Sequence, residues 1–259
     1  MMNEPPDDRA QEGRVALFLT CLVELMRPDI GQAARKLLEA GGCDVVIPRR
    51  QTCCGQPNFN GGDRNGARRL AKSTIKALAG FDHVVVPSGS CAAMISRHYP
   101  ELFADDDRWR ARAHELAGRT VELTSFLNQN NLFAGGKLDA ATLSYHDSCS
   151  GLRELGIKHQ PRALLSRIEG VEVKELEEPE VCCGFGGTFC VKYPQISERM
   201  ADNKAADTAE AGGDYLVMGD LGCLLHLEGV MHRKDADVEL RHIAEILADS
   251  LAKETRHEG

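Results

Sequence analysis

Ten cysteines are the most informative residues in this sequence of 259 residues, and eight of them repeat one pattern twice. Each copy has a single cysteine, an adjacent pair followed by glycine, and a further single cysteine. The second copy follows the first by about half the chain. The eight residues are Cys21, Cys53, Cys54, Cys91, Cys149, Cys182, Cys183 and Cys223. The matched spacings predict an internal duplication whose thiols bind a metal or exchange electrons.

The segments between the cysteines also repeat, and they predict the elements that position the thiols. Predicted strands lie at 14–21, 44–48, 83–88, 141–149, 171–176 and 215–220. Predicted helices with a period of 3.6 residues lie at 29–40, 63–79, 161–168 and 195–211. Strands that alternate with helices form parallel sheets with right-handed crossovers. We therefore predict an α/β fold of two tandem, doubly wound parallel-sheet repeats related by pseudo-twofold symmetry.

This fold gives the cysteine positions a physical meaning. All strands of a parallel sheet have their C-terminal ends at one edge, which is where ligands bind. Each single cysteine and each pair follows one predicted strand. Three loops that are distant in sequence should therefore bring four thiols together at the strand C-terminal edge of each repeat, with the two edges facing a common cleft.

The domain prediction follows from the repeat and from local composition. We expect a disordered N-terminal segment at 1–13, a first cysteine-rich repeat at 14–135 and a second at 136–259. The stretch 128–140, with its asparagines and glycines, is the best candidate for a linker.

Four thiolates suit either a [4Fe-4S] cluster or a tetrahedral zinc ion. Structural zinc sites usually space their ligands two to four residues apart, which adjacent cysteines do not match. The spacing therefore favours a cluster, one or two per chain, with zinc as the alternative in one half. If only one half is loaded, we expect the second, because its loop is richer in glycine. A dithiol enzyme that uses the adjacent pairs is a further alternative, although it leaves the other four cysteines unexplained.

Four other residues near the pattern are weaker candidates. His146 and Asp147 precede Cys149, and they could relay protons or bind a carboxylate substrate. Alternatively, they form hydrogen bonds that order the loop. We expect Cys43 to be a small buried apolar residue at the opposite edge of the sheet, and Cys190 to be a loop residue outside the ligand set.

Composition excludes several classes of protein. Hydrophobic residues make up 42% and charged residues 27%, which is ordinary for a globular chain. The net charge of −8 argues against a nucleic-acid or anionic-membrane partner. No apolar run is long enough to span a membrane, and the N-terminus lacks the features of a secretory signal, so we expect a cytoplasmic protein. The sequence has no nucleotide-binding motif, so flavin and nicotinamide are not expected.

The sequence segments around the cysteines resemble those of a known protein family. The strings TCCGQPNFN (52–60), PSGSCAAM (87–94), YHDSC (145–149), CCGFGGTF (182–189) and MGDLGC (218–223) surround the cysteines. The twofold pattern resembles the cysteine-rich CCG domain that occurs in heterodisulfide reductase and in the iron–sulfur subunit of glycolate oxidase. These strings are most similar to the lactate utilization protein A family, over about residues 14 to 250.

The resemblance implies an iron–sulfur protein that acts with two others in oxidising L-lactate to pyruvate. One of these partners would be a ferredoxin-like iron–sulfur subunit. There is one departure from the five-cysteine repeats of heterodisulfide reductase. Ser88 and Asp220 stand where those repeats carry the first cysteine of a C-x-x-C motif. We therefore expect at most an ordinary [4Fe-4S] cluster in each half, and no fused cluster.

Overall fold

A computed structural model describes residues 14–234 and 236–254 of the chain. The segment 1–13, for which disorder is predicted, lies outside the described residues.

The two halves of the chain each contain a four-stranded sheet whose neighbouring strands are all parallel. The first sheet has the order β2-β1-β3-β4, and its strands are β1 (Arg14–Leu17), β2 (Asp44–Val46), β3 (His83–Val86) and β4 (Thr120–Glu122). The second has the order β6-β5-β7-β8, and its strands are β5 (Gly136–His146), β6 (Ile168–Lys174), β7 (Tyr215–Met218) and β8 (Glu239–His242). The identical order confirms the predicted α/β fold with two repeats.

Helices connect the strands and cover both faces of each sheet. Those of the first half are α1 (Cys21–Met26), α2 (Pro28–Ala40), α3 (Gln56–Asn60), α4 (Arg64–Ala77), α5 (Gly89–Ala93), α6 (Tyr99–Leu102), α7 (Asp107–Arg119) and α8 (Leu123–Gln129), with a π-helical turn at Met94–His98. Those of the second half are α9 (Cys149–Leu155), α10 (His159–Leu165), α11 (Phe189–Lys192), α12 (Pro194–Ala211), α13 (Leu221–Arg233) and α14 (Ile243–Glu254).

Several boundaries predicted from the sequence are wrong, and the fourth strand of each sheet, β4 and β8, was not predicted. The helix expected at 161–168 is α10, which ends at Leu165, and Ile168 is already the first residue of β6. The predicted linker at 128–140 is too long, because β5 begins at Gly136. Gly136 pairs with Ile168 in the sheet, so backbone hydrogen bonding overrides the loop-like composition of this stretch. The division between the repeats at 135 and 136 stays a prediction.

The hydrophobic core joins the two halves. One cluster of buried side chains includes Leu37 and Leu38 of α2 together with Leu247 of α14. The ammonium group of Lys36 also donates a hydrogen bond to the carbonyl of Ala248, at 2.8 Å. A second cluster lies within the first half, on the other face of the first sheet, and includes Tyr99. Because α2 packs on α14, the orientation of one sheet is fixed against the other.

Close backbone contact brings the C-terminal ends of the two sheets together. The amide of Gly89 donates to the carbonyl of Gly219 at 3.4 Å. A Cβ atom at Gly89 would lie 3.0 Å from the Cα of Gly151. Glycine is therefore required where α5 meets α9, and this contact brings the cysteine-bearing loops of the two halves side by side.

Candidate metal centres

The four cysteines of the first half converge at the C-terminal edge of the first sheet. We call them the first nest: Cys21, Cys53, Cys54 and Cys91. Cys21 begins α1, whose N-cap is the side chain of Thr20. Cys53 and Cys54 lie in the loop before α3, and Cys91 is the third residue of α5. Three separate connections thus deliver the four thiols, as the sequence predicts.

The sulfur atoms of this nest contact one another. The Sγ atoms of Cys54 and Cys91 are 3.3 Å apart. The loop turns at Gly55, which has a φ of +88°, and the Gly55 amide donates to the Sγ of Cys53 at 3.4 Å. The positive φ requires glycine here, and the turn directs a backbone donor at a sulfur atom.

Within the first nest, the pKa of one thiol is lowered and the pKa of two others is raised. Hydrogen bonds from the Cys21 and Cys54 thiols, and then from the Gly55 amide, lower the pKa of Cys53 far below its ordinary value. The contact with Cys53 and then burial raise the pKa of Cys21. Contacts with Cys53 and Cys91, followed by burial, also raise the pKa of Cys54. A cation bound here would stabilise all four thiolates at once.

The second nest consists of Cys149, Cys182, Cys183 and Cys223, at the equivalent edge of the second sheet. Cys149 begins α9, and Cys223 is the third residue of α13. The paired cysteines again precede a glycine, Gly184, with a φ of +91°. Its amide donates to the Sγ of Cys182 at 3.4 Å. The two nests therefore share the same local construction.

The second nest differs in its electrostatics, because the pKa of every one of its four thiols is raised. For Cys149 the main causes are the contact with Cys182 and burial. For Cys182, Cys183 and Cys223 the largest single effect is a lowering contact with a neighbouring sulfur. In each case the remaining sulfur or carboxylate neighbours and burial outweigh it. Without a bound cation this nest favours the thiol form.

His146 lies in the second nest. It is the last residue of β5 and is fully buried. One ring nitrogen of His146 and the Sγ atoms of Cys183 and Cys223 all lie within 4.8 Å of one another. Burial, and then the charge of Lys204, lowers the pKa of His146 to about 3, so the imidazole is neutral. This placement agrees with the predicted position of His146 at the strand end, facing the cysteines.

The other weaker candidates lie outside the nests. The Asp147 carboxylate accepts two hydrogen bonds from the Arg162 guanidinium, at 2.9 and 3.0 Å, which fits the loop-ordering interpretation. Cys43 precedes β2 at the opposite edge, packs against the core and is only partly buried. The Cys190 thiol donates to the Gly187 carbonyl at 3.1 Å. None of the ten cysteines, all of which are described, forms a disulfide bond.

Two cavities of about 230 Å³ each open beside the nests. Cys21, Cys53, Cys54 and Cys91 line the first, while Cys149, Cys183 and Cys223 line the second. Gln56, Ser90, Phe185, Gly187 and Asp220 line both. The two nests are therefore neighbours, but each has its own cavity, whereas the sequence predicted one common cleft.

Asp220 has a role that the sequence did not reveal. Its carboxylate accepts hydrogen bonds from the Ser90 amide at 2.8 Å, from the Ser88 hydroxyl at 3.2 Å and from the Gly222 amide at 3.1 Å. The sequence marked Ser88 and Asp220 only as positions without cysteine. Their equivalent positions in the two repeats could have predicted this contact, because equivalent residues that lie near a twofold axis contact each other.

The residues present fit a thiophilic metal group. Soft thiolate donors select zinc or iron–sulfur clusters over hard cations. In the second nest, a buried imidazole with no hydrogen-bond partner among the described residues adds a further donor. Gathered cysteines of this kind suggest metal binding in each half.

Fold and nests together define a duplicated, cysteine-rich α/β protein. A family model described as a cysteine-rich domain, CCG, matches residues 15–96 and 143–228. Lactate utilization protein A 2 of Bacillus cereus is 41% identical over 93% of this chain and 100% of the relative. Lactate utilization protein A of Bacillus cytotoxicus is 43% identical over 90% of this chain and 98% of the relative. The chain belongs to the lactate utilization protein A family of CCG-domain proteins.

A solved structure supports the fold alone. A hypothetical protein from Helicobacter pylori superposes with a TM-score of 0.69 at 12% sequence identity, over 96% of this chain and 49% of that one. Among the described residues, no helix is both long enough and apolar enough to cross a bilayer.

Proposed function

We propose that this protein is an iron–sulfur electron-transfer subunit of a cytoplasmic complex that oxidises L-lactate to pyruvate. The observation that carries the proposal is the convergence of eight cysteines into two nests with the same construction, in a chain whose relatives are named for lactate utilization. When bound, a [4Fe-4S] cluster supplies one-electron transfer.

The chain's own residues suit this role. Cys21, Cys53, Cys54 and Cys91 would bind one cluster, and the four cysteines of the second nest would bind the other. The amides of Gly55 and Gly184 donate to cysteine sulfur and therefore stabilise the negative charge that accumulates on reduction. Five residues line the cavities beside both nests, so clusters bound in the two nests would be neighbours.

Partners are needed because no other redox group is expected in this chain. The family resemblance implies a ferredoxin-like iron–sulfur subunit and a third lactate-utilization protein. Exposed apolar side chains near the first nest support a docking surface there. Leu25 on α1 is 78% exposed, and Val191, which also lines the first cavity, is 79% exposed. A contiguous exposed apolar patch marks a protein contact, and we propose that these two side chains belong to one.

Zinc in the first nest is a second candidate, and one distance favours it. A tetrahedral zinc site with Zn–S bonds of about 2.3 Å places two thiolates about 3.8 Å apart. The Cys54–Cys91 separation of 3.3 Å is about 0.5 Å shorter than that spacing, so a small outward movement of the two sulfur atoms would suit zinc. A first nest that holds zinc would be structural, and electrons would then pass through the second nest alone.

The test has a chemical arm and a biological arm. Anaerobically purified protein is analysed for iron, acid-labile sulfide and zinc, and we expect iron and sulfide in equal amounts. In the native host, deletion of the gene for this protein should abolish growth on L-lactate but not on pyruvate. Wild type should restore growth, and Cys183→Ser should not. Zinc without iron, or full growth of the deletion strain on L-lactate, would overturn the proposal.

A further inference from the structure

Three buried donors of the second nest come from three different elements. His146 ends β5, Cys183 lies in the glycine-rich loop, and Cys223 belongs to the first turn of α13. Their exposed fractions are 0%, 1% and 5%. Because their ligand atoms lie within 4.8 Å of one another, a single metal group can contact all three.

The imidazole of His146 has no hydrogen-bond partner among the described residues, at either ring nitrogen. A buried donor or acceptor that is left unpaired destabilises the fold. Two nearby charged groups are engaged elsewhere. Lys204 donates to the Glu178 carbonyl and to the Asp207 carboxylate, and Asp147 is held by Arg162. No described side chain forms a hydrogen bond with the imidazole, whereas a bound metal would engage one of its ring nitrogens.

The first nest offers an internal comparison. Phe18 precedes Cys21 by the same interval as His146 precedes Cys149, and it is likewise fully buried. A phenyl ring provides no metal ligand. The two nests thus share four cysteines and a fold, but only the second has an imidazole in this place.

We propose that the His146 imidazole is a ligand of the metal group in the second nest, together with Cys183 and Cys223, and that it takes the place of one of the two remaining cysteines of that nest. The inference rests on the proposed function where it concerns iron. Neutral imidazole is a common metal ligand, and replacement of thiolate by imidazole raises the potential of an iron–sulfur centre. The second nest therefore has a higher reduction potential than an all-thiolate centre in the same place.

Pulsed electron paramagnetic resonance on the reduced, anaerobically loaded protein tests this ligand. We expect a nitrogen coupling of directly bound imidazole, which changes when the protein is labelled with 15N-histidine. His146→Phe, which copies the first nest, should remove the coupling and lower the reduction potential. The matched control is His98→Gln, because His98 lines the second cavity but is paired with Glu154; it should retain both. An iron-loaded wild type without histidine coupling, or a coupling that persists in His146→Phe, would overturn the proposal.

The test separates failure of this ligand from failure of the proposed function. If His146→Phe does not fold, as judged by circular dichroism, the 15N label in wild type decides. Zinc without iron would refute the proposed function, and the ligand is then tested in protein loaded with cobalt(II). The visible spectrum of wild type and of His146→Phe should differ in that case. Identical cobalt spectra would refute the ligand.

Discussion

Ser88 and Asp220 occupy equivalent positions in the two repeats, and they are hydrogen-bonded to each other across the interface, Oγ to Oδ2, at 3.2 Å. Both side chains are buried. Each lies three residues before the last cysteine of its nest, where five-cysteine repeats carry an additional cysteine. Contact between equivalent residues indicates that the pseudo-twofold axis passes here. Ser88 and Asp220, which replace the additional cysteines, therefore link the two nests through their hydrogen bond.

Asp220 caps two helices that carry metal-ligand candidates. Its carboxylate accepts from Ser90 in α5 and from Gly222 in α13. Loss of one N-cap costs about 1 kcal/mol. We predict that Asp220→Ala lowers the free energy of unfolding by about 2 kcal/mol or more, because both caps are lost and Ser88 loses its partner. Urea denaturation of wild type and variant measures this difference.

Asp63→Ala is the matched control for this experiment. Asp63 caps only α4, by accepting from the Gly66 amide at 2.8 Å. It should cost about half as much. Equal losses for the two variants would contradict the bridging role of Asp220.

His242 should make stability depend on pH. Burial lowers its pKa to about 4, and the carbonyls of Gly219 and Pro87 only partly offset this. The unfolded chain, with an ordinary pKa of about 6.5, binds a proton between these values that the folded protein does not bind. The free energy of unfolding should therefore fall as the pH decreases from about 6.5 towards about 4. At about 1.4 kcal/mol per pH unit, His242 accounts for roughly 3 kcal/mol.

His242→Gln tests this dependence. Because the substitution also removes the hydrogen bond from the Ala244 amide at every pH, the quantity to compare is the slope of the free energy of unfolding against pH, not its absolute value. Unfolding is measured between pH 7 and 4.5 for both proteins. The variant should lose less stability on acidification than wild type. His146 contributes to the remaining slope in both, because its pKa is also lowered. Parallel pH curves would contradict the buried, neutral state of His242.

Cys53 should be the first thiol to react after metal removal. Contacts with Cys21 and Cys54 lower its pKa, and the thiolate is the reactive form of cysteine. Brief treatment with iodoacetamide at pH 6, followed by peptide mass spectrometry, should find Cys53 modified before the others. Cys43 is the internal control, because burial raises its pKa and its exposure is comparable. Earlier labelling of Cys43 or Cys182 would refute the assigned thiolate.

The sequence predicts the fold well because the chain is duplicated, so that each predicted strand or helix in one half can be checked against its equivalent in the other half. The first three strands of each half, the long helices α4 and α12, and the cysteine edges agree with the structure, whereas β4 and β8 were not predicted. Errors arose at element ends, as at Ile168, where an apolar residue fits a helix pattern and a strand equally well. Pairing with Gly136 decides between them, and that contact is not visible locally.

The hydrogen bonds around the two nests could not be predicted from the spacing of the cysteines in the sequence. His146 was marked by its place before Cys149, but its missing partners emerge only when Lys204 and Asp147 are seen to be engaged elsewhere. The bridge made by Asp220 depends on how the halves pack through α2 and α14. Such contacts join residues that are distant in sequence, so no local pattern encodes them.

Metal stoichiometry in paired variants tests the central claim most directly. Wild type, Cys54→Ser and Cys183→Ser are reconstituted anaerobically with iron and sulfide, with Cys190→Ser as a control outside the nests. We predict about eight iron atoms in wild type and in the control, and about four in each nest variant. Equal iron in all four proteins, or none in wild type, would contradict the account of two metal-binding nests.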